Sequence, residues 1–292
     1  MVILARKRAG ATMTVTRISG AVLCAALAAF AASGPAAAKK TKLPKPDHII
    51  IVMEENHSYA DIIGSSQAPY INSLAQSGAS FTDSHAITHP SQPNYLELFS
   101  GSTQGVTDDS CPHSFNVDSE ASQLLDAGLS FVGYSEGLPN EGSLVCTAGK
   151  YARKHSPWTN FTNLPVTTNE PYTVFPKKLK KLPTVSWVIP NLDDDMHDGS
   201  IAQGDTWLKN NLAAYATWAM THNSLLIVTW DEDDGSQSNQ IPTIFVGPMV
   251  KPGQYSEHIT HDNVLATVEA MYQLAPLGNA ANVQPIRDVW QK

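Results

Sequence analysis

Cysteine is scarce in this sequence. There are three in 292 residues, with no neighbouring ligands at zinc spacing, which argues against a zinc-stapled fold. Positive charge is short as well. The 19 Lys+Arg face 27 Asp+Glu, a formal charge of −8, which argues against general binding to nucleic acid or anionic membranes. Membrane-length apolar runs are missing too: the run over residues 18–30 is alanine-rich and short of the ~20 residues a span requires. Beyond residue 38 there is no internal repeat and no low-complexity segment. What remains is a chain that is 42% hydrophobic and 16% charged, enough for one sizeable α/β domain with a real core.

The first residues read as a targeting segment. Arg6, Lys7, Arg8 and Arg17 precede the apolar run, and small residues up to Ala38 follow it. This predicts a secretory signal peptide over residues 1–38. Met13 offers an alternative start, and Leu23 before Cys24 spoils a lipoprotein site, so no lipid anchor is expected. Cleavage would remove four of the 19 basic residues and none of the 27 acidic ones, taking the charge from −8 to −12. Cys111 and Cys146 would remain. In an exported chain two cysteines most simply pair, here closing a loop of about 35 residues and stabilising by roughly 3–4 kcal/mol. Residues 39–46 read as a short basic linker and residues 47–292 as one domain, secreted or held at the cell envelope.

Within that domain His48–Met53 is a continuous β-branched run, the mark of a strand covered on both faces. It ends in Glu54-Glu55-Asn56-His57. Further strands are predicted at Leu129–Tyr134, Thr184–Ile189, Ser224–Trp230 and Ile241–Gly247. Helices are predicted at Ala68–Gly78, Ser119–Gly128, Thr206–Thr221 and His261–Leu274, and Pro139–Pro176 is irregular. The pattern implies a three-layer α/β/α sandwich on a mostly parallel sheet. Three strands end in acid, amide or imidazole groups, at the edge where open α/β sheets bind ligands.

Residues His89–Gly101 are where the chemistry is placed. Ser91 stands between Pro90 and Pro93 and can cap the helix that follows, with its hydroxyl beside free backbone N–H groups suited to a phosphate. Taken alone the stretch favours an ordinary capped helix with no chemistry, and the rest of the sequence changes the odds. Glu55 and Asn56 after one strand, and Asp231 and Glu232 after another, supply hard oxygen ligands for Ca²⁺, Mg²⁺ or Mn²⁺. The run Asp231–Gly235 lacks the ligand spacing of an EF-hand. His197, in DMHDG, and His261, opening the last helix, are candidate acids or phosphate contacts, with hydrogen-bonded structural histidines as the alternative. Lys150, Arg153 and Lys154 could hold an anionic headgroup, or form a solvated basic loop.

The segments IVMEENHSY, THPSQPNYLELFSG, NLDDDMHDGSIAQGDTWL, LLIVTWDEDDGSQSNQIPTIFVGP and HDNVLATVEAMYQL occur in the order and spacing of the bacterial phosphoesterase family, which the chain resembles over nearly the whole of residues 47–292. That family contains secreted acid phosphatases and phospholipases C with an alkaline-phosphatase-like core. The chain is most similar to its short mycobacterial-type phosphatases. The resemblance implies Ser91 as a nucleophile that also touches a metal, with Glu55, Asn56, Asp231 and Glu232 as its ligands. It implies Asn94 as a donor to phosphoryl oxygens, and His197 and His261 as groups that contact phosphate or move protons. The family often has Asp-Asp where Asp231-Glu232 stands, and His-Tyr-Ser where this chain has His261-Asp262-Asn263.

The expected activity is therefore that of an exported, metal-dependent acid phosphatase working through a phosphoserine. Its substrate would be a phosphate monoester or a phosphoinositide, with phosphatidylinositol 3-phosphate the candidate lipid. It is expected to be monomeric and without a stable membrane anchor. A phospholipase C-type diesterase is the nearest rival. A non-catalytic calcium- or lipid-binding module is the rival from another class.

Overall fold

A strand without polar alternation has to be covered from both sides, and the first strand meets that condition. The computed structural model describes residues 42–291 together with residues 10 and 12–16. The apolar run and cleavage site of the expected signal peptide lie outside the described residues. Residues Thr41–Lys292 form one unit. It begins with β1 (His48–Glu54), α1 (Tyr59–Ile62), α2 (Pro69–Ser77), β2 (Ala79–Phe81), β3 (Ser84–His85) and α3 (Ser91–Ser100). Next come α4 (Glu120–Asp126), β4 (Phe131–Ser135), β5 (Thr147–Ala148), β6 (Tyr151–Ala152), β7 (Asn169–Pro171) and β8 (Val185–Ile189). The chain closes with α5 (Ile201–Ala219), β9 (Ser224–Trp230), β10 (Thr243–Val246), β11 (Gly253–Tyr255), β12 (Ile259–Thr260) and α6 (His261–Tyr272).

Eight strands form one sheet in the order β11-β2-β10-β9-β1-β8-β4-β7. Every neighbouring pair is parallel except the two that involve β10. The connection is local: residues 231–242 join β9 to β10 without a helix, whereas a parallel crossover usually runs through one. Two cores lie on opposite faces of the sheet. Ile49, Ile51 and Met53 pack with Leu96, Phe99, Leu124 and Leu265, from α3, α4 and α6. Ile50 and Val52 alternate to the other face and pack with Ile71, Leu74, Leu208 and Leu212, from α2 and α5. This is the expected α/β/α sandwich.

Several boundaries differ from expectation. Helix α5 starts at Ile201 rather than Thr206, capped by the Ser200 hydroxyl, which accepts from Gln203 N–H. Gly204 in its first turn masks the helical signal. A Cβ there would come within 2.5 Å of Met196 Cγ, so close packing requires glycine. The short strands β2, β7 and β11 were not legible as strands. Nor do residues 43–46 behave as a linker, because Leu43 and Pro46 are buried and the Tyr272 hydroxyl donates to the Pro46 carbonyl at 3.1 Å. Cys111 and Cys146 form the expected disulfide, with 5.9 Å between their Cα atoms.

Candidate active site

The site is assembled where β1, β8 and β9 end. Glu55 follows β1 directly, Asp195 lies in the loop after β8, and Asp231-Glu232 follow β9. Two backbone bonds hold these ends together: Glu55 N–H donates to the Asp195 carbonyl at 2.8 Å and Asp231 N–H to the Glu54 carbonyl at 3.0 Å. Asn56 has a left-handed backbone (φ 55°), which asparagine tolerates, and its N–H donates to Asp231 Oδ1 at 3.1 Å.

Ser91 faces this acidic edge from α3. Its hydroxyl lies 3.1 Å from Glu55 Oε2 and 3.2 Å from Glu232 Oε1. One turn later on the same helix face, Tyr95 donates to Glu55 Oε1 at 2.6 Å. The other oxygen-side partner is His155, whose Nε2 is 2.9 Å from Glu55 Oε1 and whose Nδ1 is 3.2 Å from Asp195 Oδ2. The His155 ring stacks on Tyr95 at 5.0 Å. Burial disfavours a charged His155, but Glu55 and Asp195 outweigh it and push the imidazole up to about 9. Burial likewise opposes the Glu55 charge, yet His155, Tyr95 and Lys154 hold its carboxyl down at about 2. Glu55 is therefore an ionised carboxylate set against an imidazolium.

The remaining acids are charged with more difficulty. Burial, then Glu55 and Glu232, push the Asp231 carboxyl well above its usual range, and its Oδ2 has no hydrogen-bond partner among the described residues. Burial also raises Glu232, partly offset by His89, whose Nδ1 lies 2.6 Å from Glu232 Oε2. A buried hydroxyl and three converging carboxylates, one with an oxygen left unpaired among the described residues, make a set of hard oxygen donors. A divalent cation fits that donor set. Asp195, His155 and Glu55 also offer ligand atoms within 4.8 Å of one another. With His155 protonated between two carboxylates, that trio reads better as an ion-pair brace than as a second ligand set.

Four expectations need correction. Ser91 is not the cap of α3 but its first helical residue, with Pro90 at the cap position. The helix end is also poorer in free donors than expected, since Gln92 N–H is taken by Asp109 Oδ1 at 2.9 Å and Pro93 has none. Asn94 is buried, with its amide committed to backbone groups. Its amide oxygen accepts from Ile87 and Thr88 N–H at 3.1 and 3.0 Å, and its NH₂ donates to the Thr88 and Pro90 carbonyls. It braces the loop that delivers Ser91. His261 is buried behind β9, with Nε2 2.9 Å from the Trp230 carbonyl, and burial lowers it to about 4, so it is neutral rather than a histidinium.

The basic stretch separates into three roles. Arg153 is turned inward and donates to the Leu144 and Thr159 carbonyls and the Thr159 hydroxyl, holding its own loop. Lys150 is an outer residue paired with Asp193 at 2.6 Å and Asp198 at 3.0 Å. Lys154 belongs to the site: its Nζ is 2.8 Å from Asp109 and 3.5 Å from His197 Nε2. Burial weakens its charge, but Asp109, Glu55 and Asp231 more than restore it. His197 is held by Asp198, with Nδ1 2.8 Å from Oδ1. His89, His197 and Lys154 thus form a partly exposed rim over the buried acids. Glu54, the residue before Glu55, alternates to the opposite face of β1, where burial and then Asp195 and Asp194 push its carboxyl well above the usual range. Sequence reasoning missed Tyr95, His155 and Asp195. Only Tyr95 carried a signal, its i,i+4 spacing from Ser91.

The sheet with its single reversed strand and acidic carboxyl edge defines an alkaline-phosphatase-type fold. A solved member of the alkaline phosphatase superfamily from Vibrio parahaemolyticus superposes with TM-score 0.59, at 12% identity, covering 84% of this chain and 72% of that one. A phosphonate monoester hydrolase from Silicibacter pomeroyi gives 0.54 at 10% identity, covering 82% and 75%. Residues 65–275 match the phosphoesterase family, and the chain belongs to that family. It is 57% identical over 251 residues to the phosphatidylinositol-3-phosphatase of Mycobacterium tuberculosis, covering 85% of this chain and 84% of that protein. An acid phosphatase of Aspergillus fumigatus is 31% identical over 77% of this chain, and the match spans 54% of the fungal protein's length.

Proposed function

We propose that this chain is a metal-dependent acid phosphatase in which Ser91 is the nucleophile, acting on phosphate monoesters with phosphatidylinositol 3-phosphate as the candidate lipid substrate. It is a phosphomonoester hydrolase by its kinship with the mycobacterial and fungal phosphatases. The observation that carries the nucleophile is the position of the Ser91 hydroxyl, 3.1 Å from Glu55 and 3.2 Å from Glu232 at the end of a helix.

Glu55, Asp231 and Glu232, with Ser91 itself and the adjacent Asn56, would hold Ca²⁺, Mg²⁺ or Mn²⁺. A cation bound there would neutralise the acids and lower the pKa of the serine hydroxyl. The Ser91 oxygen then bonds to phosphorus, the substrate alcohol departs, and water cleaves the phosphoserine to release phosphate. Lys154 attracts the dianionic group, and His197 and His89 offer ring nitrogens to its oxygens as charge develops. Tyr95 and His155 keep Glu55 in place, and Asn94 keeps the loop before Ser91 in place. A phospholipase C reaction would need a site that grips a diester, and the kinship does not favour it.

Export is supported by the disulfide, and among the described residues no helix is long and apolar enough to cross a membrane. The test is Ser91→Ala assayed on p-nitrophenyl phosphate and on phosphatidylinositol 3-phosphate. Turnover should fall by roughly 10³-fold or more on both, with the fold unchanged by circular dichroism. Substantial residual turnover would rule out Ser91 as the nucleophile.

A further inference from the structure

We propose that Asp83, His85 and His258 form a second cation site, of a different chemical kind from the acidic one, that takes a transition metal such as Zn²⁺. Asp83 Oδ1 lies 2.9 Å from His85 Nε2, and Asp83 Oδ2 lies 3.2 Å from His258 Nδ1. One ligand atom from each of the three falls within 4.8 Å of the others. The two imidazole rings stand 5.1 Å apart, tilted by 40°. Ligands held about 2.0–2.1 Å from a tetrahedral zinc sit roughly 3.3 Å from one another, so little movement is needed to admit the ion.

The protons make the stronger case. His85 Nδ1 lies 3.1 Å from the Ser238 carbonyl, an oxygen that can only accept, so Nδ1 carries the hydrogen. In a neutral ring Nε2 is then a bare lone pair. Yet it faces a carboxylate oxygen at 2.9 Å, and two acceptors approach that closely only with a cation between them, a proton or a metal. A histidine that gives its far N–H to a backbone carbonyl is the arrangement that orients metal-bound imidazoles. Two nitrogens and one carboxylate suit Zn²⁺ far better than Ca²⁺ or Mg²⁺. The side chains of Asp83 and His258 are 43% and 64% exposed, so water can complete the coordination and the ion has a way in.

The scaffold is built to hold the three together. His85 ends β3 and His258 immediately precedes β12, and these strands pair in parallel as a separate two-stranded sheet. Ile259 N–H donates to the Asp83 carbonyl at 3.0 Å, which fixes the two loops. β3 leads on to Ser91 and β12 to His261, so the ion would clamp the roots of two segments that frame the site.

The experiment is calorimetric titration of metal-stripped protein with Zn²⁺, on wild type, His258→Ala and Asp83→Asn, with thermal melts in parallel. Each variant should lose one equivalent of Zn²⁺, or bind it more than roughly 100-fold more weakly, since even outer-shell losses cost 10–100-fold. Each should also lose part of the Zn²⁺-induced rise in melting temperature. Turnover of p-nitrophenyl phosphate in Mg²⁺ should stay within about twofold of wild type, which separates this site from the acidic one. Wild-type Zn²⁺ stoichiometry and affinity in both variants would overturn the proposal, as would binding by wild type that is fully blocked by filling the acidic site.

Discussion

Ser91 and Tyr95, one helical turn apart on α3, take the two oxygens of a single carboxylate. The Ser91 hydroxyl is 3.1 Å from Glu55 Oε2, and the Tyr95 hydroxyl is 2.6 Å from Glu55 Oε1. The helix thereby sets the distance between the reacting oxygen and the group it must work beside. A rigid element positions better than a loop, because its i,i+4 geometry is fixed by backbone hydrogen bonds.

That relationship predicts the behaviour of Tyr95→Phe. The ring remains to pack and to stack on His155, but Glu55 loses a charge-assisted hydrogen bond worth roughly 1.5–3 kcal/mol. Metal affinity or kcat should fall roughly 10–100-fold, with the larger effect at limiting metal. Unchanged metal dependence would show that Tyr95 is only a packing residue.

Removing divalent metal should both inactivate and destabilise the protein. Stripping with EDTA leaves Glu55, Asp231 and Glu232 crowded together, with burial and mutual repulsion opposing the charge on Asp231 and Glu232. Add-back of Ca²⁺, Mg²⁺ or Mn²⁺ at 100 times its Kd stabilises by roughly 2.7 kcal/mol, or roughly 5–10 °C in Tm for a chain of this size. Full turnover in a metal-free sample would contradict the acidic-site assignment.

The three basic residues should divide by readout. Lys154→Ala removes a partly buried cation beside His197 and should raise KM for p-nitrophenyl phosphate roughly tenfold. Lys150→Ala removes an exposed ion pair and should change KM by less than about twofold. Arg153→Ala should act on Tm, since it leaves the Leu144 and Thr159 carbonyls without their donor. Equal KM effects for Lys150→Ala and Lys154→Ala would place the phosphate elsewhere.

Glu120 predicts how stability depends on pH away from the site. Burial pushes its carboxyl up to about 8, against the Trp187 indole N–H that donates to it at 2.8 Å. The folded chain thus keeps a proton that the unfolded chain releases near the ordinary glutamate value. The stabilisation is complete below that value and declines as pH rises towards 8. Glu120→Gln should flatten the fall in Tm between pH 5 and pH 8.5 by several degrees. A variant whose Tm falls as steeply as wild type would mean that Glu120 is ionised in the fold.

The strands were legible because they are buried on both faces. Ile49–Met53 and Leu225–Trp230 carry no polar alternation, and a chain can satisfy that pattern only inside a sheet covered by helices. The short strands β2, β7 and β11 were not legible, since two- or three-residue pairings depend on a partner supplied from far along the chain. Of the candidate site, Glu55, Ser91 and Glu232 could be named because a strand end and a helix start mark their positions. Asp195 was hidden in a run of three aspartates and His155 in a run of cations, where composition gives every member equal standing.

Alone, then, the sequence determined the sandwich, the disulfide partners, and that acids would gather opposite a serine, because periodicity, cysteine count and strand ends are properties of neighbouring residues. Only the tertiary structure decided which of those residues reach the site. Asn94 and Arg153 spend their polar atoms on backbone, His261 is neutral beneath Trp230, and His155 is an imidazolium between two carboxylates. Hydrogen-bond partners and burial set those states, and both come from residues distant in the chain.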